Sequence, residues 1–268
     1  MNPLTVSIVT YHTEPDELRR CLASLASDVV ECIYIVDNSA GEDDIRVRDL
    51  VDGYDNVEYI ASDNVGYGSA HNVAIRRAMQ TGTRYHLVLN SDVRFDAGIL
   101  NRLIDVMDTR PEVGQLQPRI EYPDGRLQCT VRRLPTPLDV FGRRFLPESW
   151  IRSRNDRYLL KDVDHTREFN PAYHQGSFML LRMDALRQIG LFDQRFFMYP
   201  EDIDLTRRMH RKYVTLYYPF ERIVHDHRAG SYHDLRLLRI HIVNMIRYFN
   251  KWGWFHDPER RKWNIEIK

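Results

Sequence analysis

The sequence is poor in cysteine and contains no long apolar run. Its three cysteines are widely spaced, and no two of them form a C-x-x-C pair: Cys21, Cys32 and Cys129. An odd number with this spacing argues against a disulfide framework and against a zinc knot. No apolar stretch approaches the roughly 20 residues that a membrane-spanning helix requires.

The sequence also lacks an excess of charge, since 38 basic residues balance 38 acidic residues. Net charge therefore provides no attraction to nucleic acid, and we expect no such partner. The N-terminal segment MNPLTVSIVTYH has neither a basic leader nor a small-residue cleavage site. Together with the absence of a disulfide pattern, this predicts a cytoplasmic protein.

Strand-like and helix-like segments alternate through the first 120 residues. Short β-branched runs occur at LTVSIVTYH, ECIYIVDNS, NVEYIAS and YHLVLNSD. The segments between them have helical character: TEPDELRRCLASLAS, GEDDIRVRDLVDG and SAHNVAIRRAMQTG. This order predicts an α/β fold with a mostly parallel central sheet flanked by helices, and ligands of such sheets bind beyond the carboxyl ends of the strands.

Polar residues follow each of the four predicted strands. Asp37 either stabilises a turn or accepts hydrogen bonds from a nucleobase or ribose. Asp92, two positions after Asn90, either caps the next helix or coordinates a divalent cation that holds a diphosphate. Gly66 and Gly68 allow a ligand to approach the backbone closely, but the third glycine of the dinucleotide fingerprint is missing.

The second half of the chain has weaker patterns. Residues 132–169 contain three prolines and an excess of arginine, which predicts an irregular lid or mobile segment. After it, QGSFMLLRMDALRQIG predicts a buried strand and a helix that ends near Gly190.

A final helix is predicted over about residues 234–252. One face carries an apolar stripe of Leu235, Leu238, Ile242, Met245 and Phe249. The stripe indicates core packing or a homodimer contact, whereas the aromatic and basic residues that follow it also suit peripheral contact with a membrane surface.

Two segments carry clustered titratable side chains. FFMYPEDIDLTRRM places Glu201, Asp202 and Asp204 within four positions. The helix dipole stabilises acids in a first turn, so a helix start explains part of this cluster, and a carboxylate that faces a pocket is the functional alternative. HDHRAGS supplies His225 and His227, either as loop residues or as one ligand of an oxygen-rich metal site.

Taken in order, these motifs resemble one enzyme family. VSIVTYH, VDNSA, NVGYGSAHN, VLNSD, QGSFMLLR, GLFDQRFFMYPEDIDLTRRM and HDHRAGS are similar to the inverting nucleotide-sugar glycosyltransferases of family 2. The similarity is greatest to the bacterial rhamnosyltransferase-like branch. It implies the GT-A (Rossmann-like) fold with a C-terminal acceptor-side helical region.

The resemblance covers nearly the whole chain and implies a single GT-A domain over 1–268. Within it, 1–120 would be the nucleotide-sugar-binding half. The acceptor and catalytic half would be 121–231, including the mobile 132–169 region. An amphipathic helix and tail would occupy 232–268.

The resemblance also implies site residues. Asp202 would be the catalytic base, and Asp92 would bind Mg²⁺ or Mn²⁺ with His225. The nucleotide-sugar site would comprise Thr10, His12, Asp37, Asn64, Gly66, Asn72, Asn90 and Ser91. The acceptor side would comprise Gln175, Gly176, Tyr199 and Glu201. The D-x-D position of the family reads Asn90-Ser91-Asp92 here, which leaves fewer charged metal ligands.

The implied activity is transfer of a sugar with inversion, and dTDP-L-rhamnose is the favoured donor. The acceptor would be a hydroxyl of a growing bacterial surface polysaccharide or lipid-linked oligosaccharide, at the inner face of the cytoplasmic membrane. The alternatives are another UDP- or GDP-sugar, a nucleotidyltransferase, or a non-catalytic sugar-binding homologue. A nucleotidyltransferase would need an early basic glycine-rich loop, whereas TYHTEPDE is acidic and has no glycine.

Overall fold

Among the described residues, eight strands form one central sheet. The computed structural model describes residues 3–39, 44–143, 146–226 and 235–267. In spatial order the strands are β3 (Val57–Ala61), β2 (Val30–Asp37), β1 (Leu4–Thr10), β4 (Tyr85–Leu89), β9 (Phe178–Arg182), β6 (Val113–Glu121), β10 (Val214–His225) and β5 (Val93–Arg94). Only β9 and β5 run antiparallel to their neighbours in this sheet. The predicted mostly parallel α/β sheet is confirmed.

Helices cover both faces of the sheet. They are α1 (Pro15–Ser24), α2 (Asp44–Val51), α3 (Tyr67–Thr81), α4 (Gly98–Thr109), α5 (Glu148–Tyr158), α6 (Met183–Ile189), α7 (Glu201–His210), α8 (Leu235–Trp252) and α9 (Pro258–Glu266). A separate two-stranded ribbon joins β7 (Val131–Arg132) to β8 (Tyr173–His174). The helix predicted to end near Gly190 is α6, which ends at Ile189. Among the described residues, no helix combines the length and apolarity that a bilayer span requires.

The irregular structure predicted for residues 132–169 is wrong. A π-helical turn (Leu138–Gly142) and α5 lie within this region. Helix α5 buries only Ile151 and Tyr158, so its hydrophobic periodicity is too weak to reveal a helix from sequence. Ion pairs stabilise the region, including Arg154 Nε to Asp139 Oδ1 at 2.7 Å. The mobility of this segment stays a prediction.

Helix α9 was missed from the sequence, where only a basic tail follows the last predicted helix. The buried Arg207 of α7 fixes it in place through two hydrogen bonds to Asp257, at 2.7 and 2.5 Å. Asp257 also caps α9 by accepting a hydrogen bond from the backbone N–H of Arg260 at 3.0 Å. The ring of Trp252 lies 4.1 Å from the Arg207 guanidinium. The C-terminal segment is therefore anchored to the back of α7.

A buried polar chain fixes α3 to the sheet. Thr5 Oγ1 lies 2.9 Å from His86 Nδ1, His86 Nε2 lies 2.8 Å from Ser7 Oγ, and Ser7 Oγ lies 2.6 Å from His71 Nδ1. Burial lowers the pKa of His86 to about 3 and that of His71 well below its usual range, so both rings are neutral. His71 contacts the ring of Tyr67 edge-on, with 4.4 Å between centroids.

The anchoring role of Asp257 can be measured by unfolding. Asp257→Ala leaves the Arg207 guanidinium buried without its bidentate partner, and we expect the free energy of unfolding to fall by about 3–5 kcal/mol. Urea titrations compared at one pH provide the measurement. The control Glu266→Ala removes an exposed acid 3.9 Å from Lys262 and should cost less than about 1 kcal/mol. Equal losses in both variants would contradict the anchoring role.

Candidate active site

The carboxyl ends of β1 and β2 form one hydrogen-bonded cluster around Asp37. Its Oδ1 accepts hydrogen bonds from Thr10 Oγ1 at 3.0 Å and from the N–H of Ser39 at 3.1 Å, and its Oδ2 accepts one from Tyr59 Oη at 2.9 Å. His12, at a left-handed φ of 48°, donates its N–H to Ser39 Oγ at 3.2 Å. Asp37 is fully enclosed. Its predicted contact with a nucleoside would therefore require a neighbouring side chain to move.

The loop between β3 and α3 lies against the segment that precedes α7. The Tyr67 N–H donates to the carbonyl of Phe197 at 3.0 Å. Gly66 has a φ of 87°, and a Cβ atom there would lie 2.3 Å from the Phe197 carbonyl oxygen. Only glycine fits this position. Asn64, on the exposed side of the same loop, accepts the Gly66 N–H at 3.3 Å.

Two of the residues predicted to bind the nucleotide sugar, Asn72 and Ser91, direct their side chains towards other groups of the protein. The Asn72 amide is buried and makes two hydrogen bonds to the backbone of Phe192, at 2.8 and 3.0 Å. Helix α3 directs this side chain into the loop after α6, and the assignment of Asn72 to the nucleotide pocket stays a prediction. The Ser91 hydroxyl donates a hydrogen bond to Glu17 of α1 at 2.7 Å. The Ser91 side chain therefore points towards α1, while its backbone lies just after the end of β4.

Tyr67 is a central residue that the sequence interpretation missed. Antiparallel pairing of β4 with β9 places the Asn90 N–H 3.0 Å from the carbonyl of Ser177, next to Gly176. The Tyr67 hydroxyl lies between these elements, 2.8 Å from Asn90 Oδ1 and 2.7 Å from the Gly176 carbonyl. Burial raises its pKa well above the usual range, so the hydroxyl stays protonated. The position of Tyr67 between the two glycines of NVGYG is the sequence feature that could have identified it.

Asp202 lies at the start of α7, directly against the turn that carries Gly176. Its Oδ2 accepts the Gly176 N–H at 2.9 Å, and its Oδ1 accepts the Ile203 N–H at 2.7 Å. Burial raises the pKa of Asp202 to about 7, while these two donors and Arg132 oppose the increase. A carboxylate with this pKa can hold and release a proton near neutral pH.

Arg132 supplies positive charge to this centre from β7. It lies over the rings of Tyr173 and Tyr158, 5.6 and 5.9 Å from their centroids. The same guanidinium lies beside Gln175, the predicted acceptor-side residue. The sequence assigned Arg132 only to the irregular 132–169 region, because its ribbon partner lies about 40 residues away and short ribbons have weak sequence signals.

Glu201 is a second buried carboxyl group beside Asp202. Burial and the charge of Asp202 raise the pKa of Glu201 well above its usual range, which favours its protonated form. Among the described residues, its Oε2 has no hydrogen-bond partner. Tyr199 precedes it with a left-handed φ of 92°, and its ring lies 4.9 Å from that of His241. Such strain in a residue other than glycine is typical of functional sites.

The third acid of the cluster serves the structure. Asp204 is fully buried and faces the C-terminal helix α8. It accepts hydrogen bonds from Arg208 Nε at 2.8 Å and from Trp252 Nε1 at 2.9 Å, and Lys251 Nζ lies 2.5 Å away. These three partners satisfy its charge. Asp204 thus ties α7 to α8, whereas Asp202 contacts the turn at Gly176.

Asp92 and His225 are brought together by the sheet. Strand β5 begins directly after Asp92, and its Val93 pairs with His225 at the end of β10. The His225 Nε2 atom lies 3.1 Å from Asp92 Oδ1. His227 lies outside the described residues.

The second ring nitrogen of His225 indicates how a cation could bind. Gln128 donates its amide N–H to the His225 carbonyl at 2.7 Å, so its Oε1 faces His225 Nδ1 at 2.9 Å. Nδ1 therefore carries a proton. Nε2 faces Asp92, and in the neutral ring it would present a lone pair to the carboxylate. Two acceptors this close repel unless a proton or cation lies between them. No group of three or more His, Cys, Asp or Glu ligands forms within the described ranges, so further ligands would be oxygens of substrate or water.

Comparison with known proteins agrees with this architecture. The sequence model of glycosyl transferase family 2 matches residues 5–190. This chain belongs to glycosyltransferase family 2. It is 30% identical over 240 residues to the N-acetylglucosaminyl-diphospho-decaprenol L-rhamnosyltransferase of Mycobacterium tuberculosis (strain H37Rv), covering 85% of this chain and 77% of that protein. It is 24% identical over 253 residues to the rhamnosyltransferase WbbL of Escherichia coli (strain K12), covering 90% of each.

A solved structure supports the fold of this glycosyltransferase. GalNAc-T7, crystallised with UDP, GalNAc and Mn²⁺, superimposes with a TM-score of 0.70 at 13% identity. The match covers 96% of this chain, which spans 49% of that longer chain. The family, the GT-A fold and the glycosyltransferase class expected from the motifs are therefore confirmed.

The raised pKa of Asp202 predicts a pH-dependent stability. The unfolded glycosyltransferase releases this proton near pH 3.8, whereas the folded protein retains it up to about pH 7. Wild-type stability should therefore fall as pH rises between these values, and Asp202→Asn should lack this component. We expect the variant to gain about 2–4 kcal/mol relative to wild type between pH 4 and pH 8, measured by urea unfolding. A difference that does not change with pH would contradict the assignment.

Proposed function

We propose that this glycosyltransferase transfers L-rhamnose from dTDP-L-rhamnose, with inversion, to a lipid-linked saccharide of bacterial surface polysaccharide synthesis. The observation that carries the proposal is the buried carboxylate of Asp202, which is joined to the donor-side strand end through Gly176 and Tyr67. The names of the two rhamnosyltransferase relatives support the choice of sugar. The proposed place of action is the cytoplasmic face of the membrane.

In this proposal Asp202 acts as the general base. An acceptor hydroxyl attacks the anomeric carbon from the face opposite the nucleotide, and its proton passes to the Asp202 carboxylate. The new glycosidic bond forms as the bond between the anomeric carbon and the diphosphate oxygen breaks, which inverts the configuration. A positioned base of suitable pKa contributes roughly 10²–10⁴-fold to such a step.

The donor side supplies oxygen and nitrogen ligands. Asp92 and His225 would hold Mg²⁺ or Mn²⁺, since the His225 Nε2 atom and the Asp92 carboxylate already face one another at 3.1 Å. When bound, the cation offsets the negative charge that grows on the leaving diphosphate. Tyr67 orients the Asn90 amide beside this site. Residues 1–120 would thus bind the nucleotide sugar.

The acceptor side supplies hydrogen bonds and an aromatic wall. Glu201, kept protonated by burial, can donate a hydrogen bond to a sugar hydroxyl while Asp202 accepts a proton from another. Tyr199 and Gln175 flank these acids and would line the acceptor pocket. This gives the two adjacent carboxyl groups different roles, because one remains neutral where the other ionises.

The base assignment is tested by transfer assays with dTDP-L-rhamnose and a prenyl-diphosphate-linked N-acetylglucosamine. Asp202→Asn should lower kcat roughly 10²–10⁴-fold, and the wild-type rate should rise with pH to a plateau above about pH 7. The control Asp184→Asn changes an acid that is 79% exposed and should retain activity. Undiminished transfer by Asp202→Asn would exclude it as the base. Transfer from UDP- or GDP-sugars alone would replace the proposed donor.

The cation site is tested by calorimetric titration of dTDP with and without Mn²⁺. We expect Mn²⁺ to tighten dTDP binding by wild type. In the presence of Mn²⁺, Asp92→Asn should bind dTDP roughly tenfold more weakly than wild type, because a charged metal ligand is replaced by a neutral one. Asp105→Asn, an exposed site on α4, serves as the matched control. An unchanged Mn²⁺ effect in Asp92→Asn would contradict the site.

A further inference from the structure

The two halves of α8 differ in how they pack. The C-terminal half is embedded in a core through Met245, Tyr248 and Phe249. No described side chain before Asn244 in this helix is buried. Leu235 is 81% exposed and Val243 is 39% exposed. The described part of the chain leaves this apolar helical surface partly uncovered, which indicates a binding surface for another molecule.

A groove lies along this half of the helix. Its volume is about 410 Å³, and it is lined by Phe197, Arg236, Arg239, Ile240, Val243, Asn244 and Arg247. Three of these residues are arginines, and none is acidic. Guanidinium groups bind phosphate oxygens through paired hydrogen bonds, and their charge persists at any physiological pH. The remaining lining is mainly apolar, so the groove combines sites for an anion and for a hydrocarbon.

The groove adjoins the catalytic segment. Asn244 donates a hydrogen bond to the carbonyl of Met198 at 3.1 Å, which fixes α8 to the aromatic stretch before α7. Phe197 forms one wall of the groove, and its carbonyl accepts the N–H of Tyr67. Asp202 follows five residues later. A ligand in the groove would therefore contact the segment that leads into the proposed base.

We propose that this groove binds the diphosphate and first isoprenoid units of a prenyl-diphosphate-linked acceptor. The inference rests on the proposed function, because such an acceptor carries its diphosphate and its reacting hydroxyl on the same sugar. The arginines bind the diphosphate, and Ile240 and Val243 contact the hydrocarbon. A flat membrane surface would not need a concave site with Phe197 as a wall, so the acceptor's own lipid is the favoured occupant.

Direct binding separates this inference from the transfer reaction. The probe is farnesyl diphosphate, titrated in the presence of saturating dTDP and Mg²⁺ so that the nucleotide diphosphate site is filled. The double variant Arg236→Gln/Arg239→Gln should weaken its binding roughly tenfold or more. The control Arg261→Gln removes an exposed arginine of α9 outside the groove and should bind as wild type does. Circular dichroism and dTDP affinity, unchanged in all variants, verify the fold.

Kinetics provide the second readout. With a prenyl-diphosphate-linked acceptor, the double variant should raise the acceptor KM roughly tenfold and leave the dTDP-L-rhamnose KM unchanged. Wild-type affinity of the double variant for farnesyl diphosphate would overturn the inference, even if rhamnose transfer is observed. Weakened binding to phosphatidylglycerol vesicles with no loss of farnesyl diphosphate binding would also overturn it, in favour of a membrane-surface contact. Farnesyl diphosphate binding by the arginines without any rhamnose transfer would support the groove and refute the proposed donor.

Discussion

The active centre depends on the close backbone contact between the loop after β3 and the segment before α7. The Tyr67 N–H donates to the Phe197 carbonyl at 3.0 Å, and only a glycine at position 66 permits this approach. The contact places the Tyr67 side chain between the β4 strand end and the turn at Gly176, whose N–H in turn holds Asp202. Donor-side and acceptor-side elements are thus assembled by one short series of hydrogen bonds.

Burial of two carboxyl groups at the start of α7 costs stability, and the surrounding structure offsets that cost. Asp202 receives two backbone donors and the field of Arg132, which together keep its pKa near neutrality. The opposite face of α7 is held by Arg207 with Asp257 and by Asp204 with residues of α8. A rigidly anchored helix keeps the base in place despite its unfavourable environment, as a functional site requires.

Segments with strong local patterns could be predicted from the sequence. The four strands before residue 90 and helix α6, which ends before Gly190, follow from apolar runs, helical spacing and glycine punctuation. Helices α5 and α9 could not be predicted in this way, because α5 buries only two side chains and α9 only Arg260 and Trp263. Their stability comes from ion pairs and from contacts with distant segments, which leave no periodic signal.

The sequence by itself determined the order of strands and helices before residue 90, the polar strand ends, the acidic start of α7 and, through the motifs in their order, the family. The tertiary structure decided which of these residues act together. It directed the Asn72 side chain to the backbone of Phe192, brought Arg132 towards Asp202 and placed Tyr67 against Gly176, 109 positions away. It also placed Asp202 against Gly176 and Asp204 against Trp252 of α8. The physical reason is that burial, charge pairing and hydrogen-bond partners are properties of the assembled environment, whereas helix and strand patterns are local.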